Sequence, residues 1–368
     1  MASPVEELAM DASRAEGFAS RVHKILDGGA LALLLSIGHR TGLFDVMAAM
    51  PPADSRAIAR ESGLDERYVR EWLAAMVAGG IVQFDGARCV YALPAEHAAA
   101  LTRRAGPENL AITSQWISLL GGVEDEVVDA FECGGGIPAA CYRRFQKVMS
   151  EDSGQRHVSL LASDVLPLVP GLRDSLERGI DLLDVGCGTG SVLCELGRLF
   201  PRSRFLGIDL SVEAIGEARR AASGLRLRNV RFEERDAALL APDARFDVAT
   251  AFRVVHRQPD PERVLQTVAG ALRTNGSLLL QEEASTGSAA RDASRPLAAF
   301  GYALSCLHSL ATARAAGGAA LGSMWGASAI RRALAAAGFN RIEAKQIPRD
   351  PRSTYFIARE IGQRWNVS

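Results

Sequence analysis

Residues 181–191 read DLLDVGCGTGS: a short apolar run holding Asp184, then glycines at 186, 188 and 190, and a serine that opens a helical stretch. An apolar run of this length ending in glycine reads as a buried strand, and glycines let the backbone turn tightly and approach a ligand more closely than side chains allow. The junction therefore fixes strand, ligand-facing turn and helix in that order, the start of a doubly wound sheet. It is not a dinucleotide fingerprint. That needs GxGxxG, whereas here the third glycine comes one residue early and Ser191 stands in its place.

The pattern around this junction extends it into a domain. After Gly179 the apolar runs DLLDVG, RFLGIDL, VRFEERD, FDVATAF and GSLLLQE alternate with helical stretches over 190–200, 212–224 and 261–272, which predicts a parallel α/β sheet. A helix near 326–338 and a closing strand pair, RIEAKQI and RSTYFIAR, complete it, and the 284–325 insertion is long enough to cap a site. Upstream, residues 54–92 spell two short helices and a hairpin turning at Asp85-Gly86, a helix-turn-helix with a wing. The second helix places Tyr68, Trp72, Leu73, Met76 and Val77 on one packing stripe. Before it, a loose polar start of about a dozen residues gives way to a helix over Phe18–Ile37, with Gly28-Gly29 marking a break. Between the halves lies a mostly helical connector in which Gly134-Gly135-Gly136 form a sharp turn. The expected division is an N-terminal helical and winged-helix domain over 1–104, a connector over 105–175, and the α/β domain over 176–368.

Bulk properties exclude several classes. The formal net charge is −1, and the stretch from Asp54 to Arg103 carries six arginines against seven acids, so neither chain nor winged helix has the basic footprint of a nucleic-acid reader. Gly28 to Gly38 is nearly uncharged but too short to span a bilayer, and Met1 to Gly17 lacks a signal-peptide pattern. A cytoplasmic protein with neither membrane nor nucleic-acid partner is expected. The six cysteines lack CxxC spacing and read as free thiols.

The motif with Asp184 two residues before its first glycine resembles motif I of class I methyltransferases. Further motifs, among them IGHRTGLFDVMA, LDERYVREWLAAMVAGGIVQFDG, GGGIP, VGCGTG, LGSMWG and AAGFNRIE, look like a family of actinobacterial winged-helix methyltransferases. That family is related to α-keto-acid C-methyltransferases and, more distantly, to small-molecule O-methyltransferases. The resemblance implies S-adenosylmethionine as cofactor, a class I methyltransferase Rossmann-like sheet, and an N-terminal helical and winged-helix domain that forms a homodimer. Its cofactor residues would be Asp184, Gly186, Gly188 and Gly190, then Asp209 for the ribose hydroxyls. Leu210 would lie against adenine, Asp236 and Ala237 at its amino edge, and Phe252 beside the methionine moiety.

The same resemblance implies a small-molecule substrate and places the chemistry on His256, His308 and Arg144. In the O-methyltransferases a histidine at the position of His256 is a general base; in the keto-acid enzymes two histidines, matching His256 and His308, hold a divalent or ferric metal, and an arginine matching Arg144 binds the substrate carboxylate. Imidazole suits either role. Arg257 stands where the family has an aspartate, which removes a carboxylate and adds a fixed cation, arguing against a metal. Ala139 and Ser309 replace an aromatic and a cysteine, and Trp116 is a pocket or core residue. The leading reading is methylation of carbon or oxygen on a secondary metabolite. Two others stay open: a family member that binds the cofactor but catalyses a non-methylating step, and a winged-helix regulator with a methyltransferase-like sensor.

Overall fold

The computed structural model describes residues 10–359. The expected loose start therefore lies largely outside the described residues. The chain forms two compact units, 1–118 and 119–368.

The first unit begins with one unbroken helix, α1 (Ala12–Thr41), capped by Asp11, whose side chain accepts from the Arg14 amide. The expected break at Gly28-Gly29 is absent. Each glycine costs about 1 kcal/mol of helix propensity, and a run rich in Ala and Leu on their C-terminal side carries the helix through. Gly42, in the left-handed region, ends α1 and turns the chain into α2 (Leu43–Ala49). Asp54 and Asp65 cap α3 (Ser55–Ser62) and α4 (Glu66–Ala78), each accepting from amides in the first turn. On α4 the buried stripe is Val69, Trp72, Leu73 and Met76, while Tyr68 is 81% exposed, so the expected stripe is rotated by one residue at its start. The wing is β1 (Gln83–Asp85) paired antiparallel with β2 (Val90–Ala92). Its turn is wider than the expected Asp85-Gly86 pair: Asp85 accepts from the amides of Ala87 and Arg88, and Cys89 takes a positive φ to bring the chain back. Two helices follow, α5 (Ala95–Leu101) and α6 (Leu110–Gly121).

The second unit opens with α7 (Glu124–Cys133), α8 (Phe145–Ser153) and α9 (Leu172–Arg178); π-helical turns at Gly154–Val158 and Leu161–Val165 follow α8. Strands and helices then alternate: β3 (Asp181–Val185), α10 (Ser191–Leu199), β4 (Arg204–Asp209), α11 (Val212–Gly224), β5 (Val230–Glu234), β6 (Phe246–Phe252), α12 (Pro261–Ala271) and β7 (Leu272–Glu283). Short helices α13 (Ala289–Asp292), α14 (Ala298–Leu304) and α15 (Ala311–Ala315) occupy the insertion, with a π-helical turn at Ser305–Leu310. Last come α16 (Ala327–Ala336), β8 (Arg341–Ile347) and β9 (Asp350–Arg359).

The seven strands lie in the order β5-β4-β3-β6-β7-β9-β8, parallel except for β9, which runs antiparallel to β7 and β8. Alternation divides β3 between the two faces. Leu182 packs with Leu193, Phe205 and Ile215 on one side, and Leu183 and Val185 pack with Val264, Leu265 and Leu334 on the other. The chain winds outward from β3 through β4 to β5 and then crosses back to β6 on the other side of β3, so the crevice opens beyond the carboxyl ends of β3, β4 and β6.

Candidate active site

At the end of β3 the three glycines do different jobs. A Cβ on Gly186 would stand 2.3 Å from Val254 Cγ2, and one on Gly190 2.4 Å from Phe232 Cζ, so both are required by protein packing. Gly188, with φ 53°, would meet nothing within 4 Å: its missing side chain leaves open space. The turn faces a cavity of about 800 Å³, lined here by Gly186, Cys187, Gly188 and Thr189 but not by Gly190.

Asp209 ends β4, where Oδ2 accepts from the Gly188 amide at 3.0 Å and Oδ1 from the Ser211 amide at 2.8 Å. These two bonds aim the carboxylate at the cavity and leave lone pairs for ligand hydroxyls. Asp184 is buried behind it, taking a 2.6 Å hydrogen bond from Thr250 Oγ1. Burial, reinforced by the charge of Asp209, pushes its carboxyl up to about 7 against the opposing Thr250 hydrogen bond. Leu210 lies at the cavity, 55% exposed, and Ala237 and Phe252 also line it. Asp236 does not; its carboxylate caps the next turn through the Ala238 amide at 2.8 Å. His157, on the first π-helical turn after α8, lines the cavity beside Phe252 with ring centroids 5.4 Å apart. Burial, then the charge of Arg253, pulls its imidazole down to about 4.

The other end of the cavity is built from three distant segments. Gly136 is pressed against α15, where a Cβ would lie 2.2 Å from the Ala315 amide nitrogen, and the Ile137 amide donates to Ala311 O at 3.0 Å. This seats the GGGIP turn on the capping insertion. His308, in the π-helical turn, stacks on Phe145 at 4.5 Å and meets Tyr142 edge-on at 4.7 Å, while the Tyr142 hydroxyl donates to Leu307 O at 2.6 Å. Burial, with Arg257 and His256 adding to it, pulls His308 down to about 3, so it is a neutral imidazole. Arg257 lines the cavity with its guanidinium 5.7 Å from the Phe145 ring centroid. Arg144, the left-handed N-cap of α8, and Ala139 line it as well.

His256 does not line this cavity. It is 4% exposed, with Nδ1 2.5 Å from Glu282 Oε2 and Nε2 3.5 Å from Ser309 Oγ. Glu282, fully buried at the end of β7, also receives Trp325 Nε1 at 3.4 Å. The carboxylate thus holds the imidazole away from the cavity, which His308 and Arg257 line. Trp116 is buried and is not among the lining residues. Among the described residues no group of three His, Cys, Asp or Glu side chains is placed to hold a metal ion. Sequence reasoning missed Glu282, Phe145, Tyr142 and His157. Only Glu282 carried a usable signal, since two acids closing the buried run LLLQEE sit at the carboxyl end of a central strand.

Comparison with known proteins agrees with this architecture. Residues 29–103 match the family model described as an Rv2258c-like winged HTH domain, and residues 176–308 match a methyltransferase domain. The chain is similar to a tRNA (guanine-N(7)-)-methyltransferase of Rubrobacter xylanophilus, 39% identical over 80 residues, covering 22% of this chain and 34% of that protein. It is also similar to the trans-aconitate 2-methyltransferase of Methylobacterium nodulans, 33% identical over 120 residues, covering 33% of this chain and 43% of that protein. The chain thus spans less than half the length of these curated relatives. Human N-acetylserotonin methyltransferase, solved in complex with SAM, has a similar fold at a TM-score of 0.67 and 18% identity, covering 97% of this chain and 99% of that one. The fold is a winged-helix and helical domain followed by the α/β Rossmann-like sheet typical of class I methyltransferases.

Proposed function

We propose that this chain is an S-adenosylmethionine-dependent methyltransferase acting on carbon or oxygen of a small molecule of secondary metabolism. The observation that carries this reading is Asp209, held by the Gly188 and Ser211 amides at the carboxyl end of β4 and facing a cavity of about 800 Å³. A carboxylate so placed suits a ribose diol, and Gly188 leaves room for the ligand beside it. Leu210 and Ala237 would flank the adenine, and Phe252 would meet the methionine end.

When bound, the cofactor supplies a methyl group on a sulfonium, already activated, so the protein's task is alignment of a nucleophile and removal of its proton. His308 is the cavity-lining imidazole at the acceptor end and the group placed to receive that proton, its charged form being disfavoured by burial until the nucleophile reacts. Tyr142 and Phe145 fix its ring from two sides. His256, held by Glu282 and 3.5 Å from Ser309 Oγ, would support the turn behind it as a positioning residue.

The first unit would act as a dimerisation scaffold. Phe18, Ile25, Leu26, Leu33 and Ile37 recur along α1 and are 43–67% exposed, an apolar stripe of the kind a second copy covers. Nucleic acid is not the expected partner, and among the described residues no single helix is long and apolar enough to cross a membrane.

Calorimetric titration with S-adenosylhomocysteine tests the reading. Wild type should bind, and Asp209→Ala, which removes at least one charge-assisted bond worth about 1.5–3 kcal/mol, should weaken binding by at least roughly ten- to a hundredfold. No binding by wild type would leave the fold without its cofactor and end the proposal.

A further inference from the structure

The acceptor end of the cavity carries a positive charge that the protein does not neutralise. Arg257 has no hydrogen-bond or ion-pair partner among the described residues; the contact its guanidinium makes is with the Phe145 ring, 5.7 Å away. The acids whose fields reach it make no hydrogen bond to it: Asp209 accepts from the Gly188 and Ser211 amides, and Glu282 engages His256 and Trp325 through Oε2. Burial lowers the affinity of this guanidinium for its proton, yet an arginine stays charged in a protein. Its side chain is partly covered at the cavity wall, where an unpaired guanidinium keeps its donors for an anionic ligand.

Arg143, Arg144, Lys147 and Arg235 share the cavity lining with Arg257 and with the acids Asp184, Asp209, Glu213 and Glu217, so the lining is of mixed sign and the feature that selects an anion is the guanidinium of Arg257 itself. A guanidinium offers a planar fork matching a carboxylate, and the stacked Phe145 and His308 rings beside it supply an apolar wall.

We propose that Arg257 anchors a carboxylate of the acceptor, so that the substrate is an organic acid held by a fixed guanidinium without a metal ion. The inference rests on the methyltransferase reading and extends it to the class of substrate. Arg257 is then a specificity-determining residue, and its neighbour His308 faces the rest of the bound acid.

The test uses the full chain saturated with S-adenosylhomocysteine, titrated with benzoate and phenylacetate and with their uncharged amides, benzamide and phenylacetamide. In wild type at least one acid should bind saturably and its amide about tenfold or more weakly, as expected for loss of a charge-assisted pair. Arg257→Gln should abolish the preference for acid over amide, and Arg257→Lys, which keeps the charge but not the fork, should retain part of it. Unfolding curves on both variants establish that they are folded. Equal binding of acid and amide by wild type, no saturable binding of either acid, or an acid preference that survives Arg257→Gln but falls with Arg144→Gln would each overturn the assignment. Failure of S-adenosylhomocysteine itself to bind would instead sink the methyltransferase reading.

Discussion

Replacing Asp184 by asparagine should flatten the dependence of stability on pH. Asp184 is 4% exposed at the end of β3, and burial pushes its carboxyl from 3.8 up to about 7. Because the folded value lies above the unfolded one, the native state holds a proton that the unfolded chain releases anywhere between them. The contribution of Asp184 to stability is therefore greatest below the unfolded value and is lost as pH rises toward the folded one. At about 1.4 kcal/mol per unit, the loss reaches about 4 kcal/mol by neutrality, of which about 2 kcal/mol falls between about pH 5 and about pH 7. Asparagine keeps an oxygen for Thr250 but cannot ionise. Urea unfolding followed by tryptophan fluorescence at several pH values gives the stability of both proteins, and their difference cancels the other titrating groups. Asp184→Asn should gain about 2 kcal/mol on wild type across that interval. A difference that stays constant to within about 0.5 kcal/mol would show that Asp184 ionises at no cost and refute the reasoning.

Two further outcomes separate packing from binding. Gly190→Ala should cost about 2–4 kcal/mol in thermal unfolding, because φ is 75° and the new methyl would stand 2.4 Å from Phe232, whereas Gly188→Ala should cost only about 1 kcal/mol yet impair S-adenosylhomocysteine binding. Equal losses of stability would contradict the division of labour among the glycines. Sedimentation velocity should show wild type as a dimer at micromolar concentration and the double variant Leu26→Glu, Leu33→Glu as a monomer. A monomeric wild type would remove the scaffold role of the first unit.

The half of the candidate site around the glycine turn was legible because its signals are local. A buried strand, a glycine turn and a capped helix each announce themselves within about ten residues, and the expected helix over 212–224 coincides with α11, capped by Ser211 at 3.1 Å. The misplaced features have physical causes of their own. Gly28-Gly29 was tolerated inside α1, and the wing turn widened because Asp85 bonds forward to Ala87 and Arg88. The acceptor half draws on Ala139–Met149, Val254–Gln258 and His308–Thr312, which only the tertiary fold brings together. Its elements include a π-helical turn at Ser305–Leu310, where an extra residue shifts the phase of every following side chain relative to a 3.6-residue period.

The clearest case is the pair His256 and Arg257, in the 3₁₀ turn Val255–Arg257 after β6. Successive residues in such a turn point about 120° apart, so His256 and Arg257 face different surroundings. Sequence position placed His256 at the chemistry, but it could not say which neighbour turns inward. Glu282, 26 residues further on and buried at the end of the adjacent strand, decides it by taking His256 Nδ1 at 2.5 Å. The imidazole is held away from the cavity and the next side chain lines it. There the chain carries a guanidinium where the family it resembles in sequence has an aspartate, and a fixed cation beside His308 disfavours a metal ion at that position and favours an anionic acceptor. The retraction of the histidine and the substitution beside it are therefore two parts of one arrangement, and the acceptor this protein takes should be read from Arg257 and His308 together.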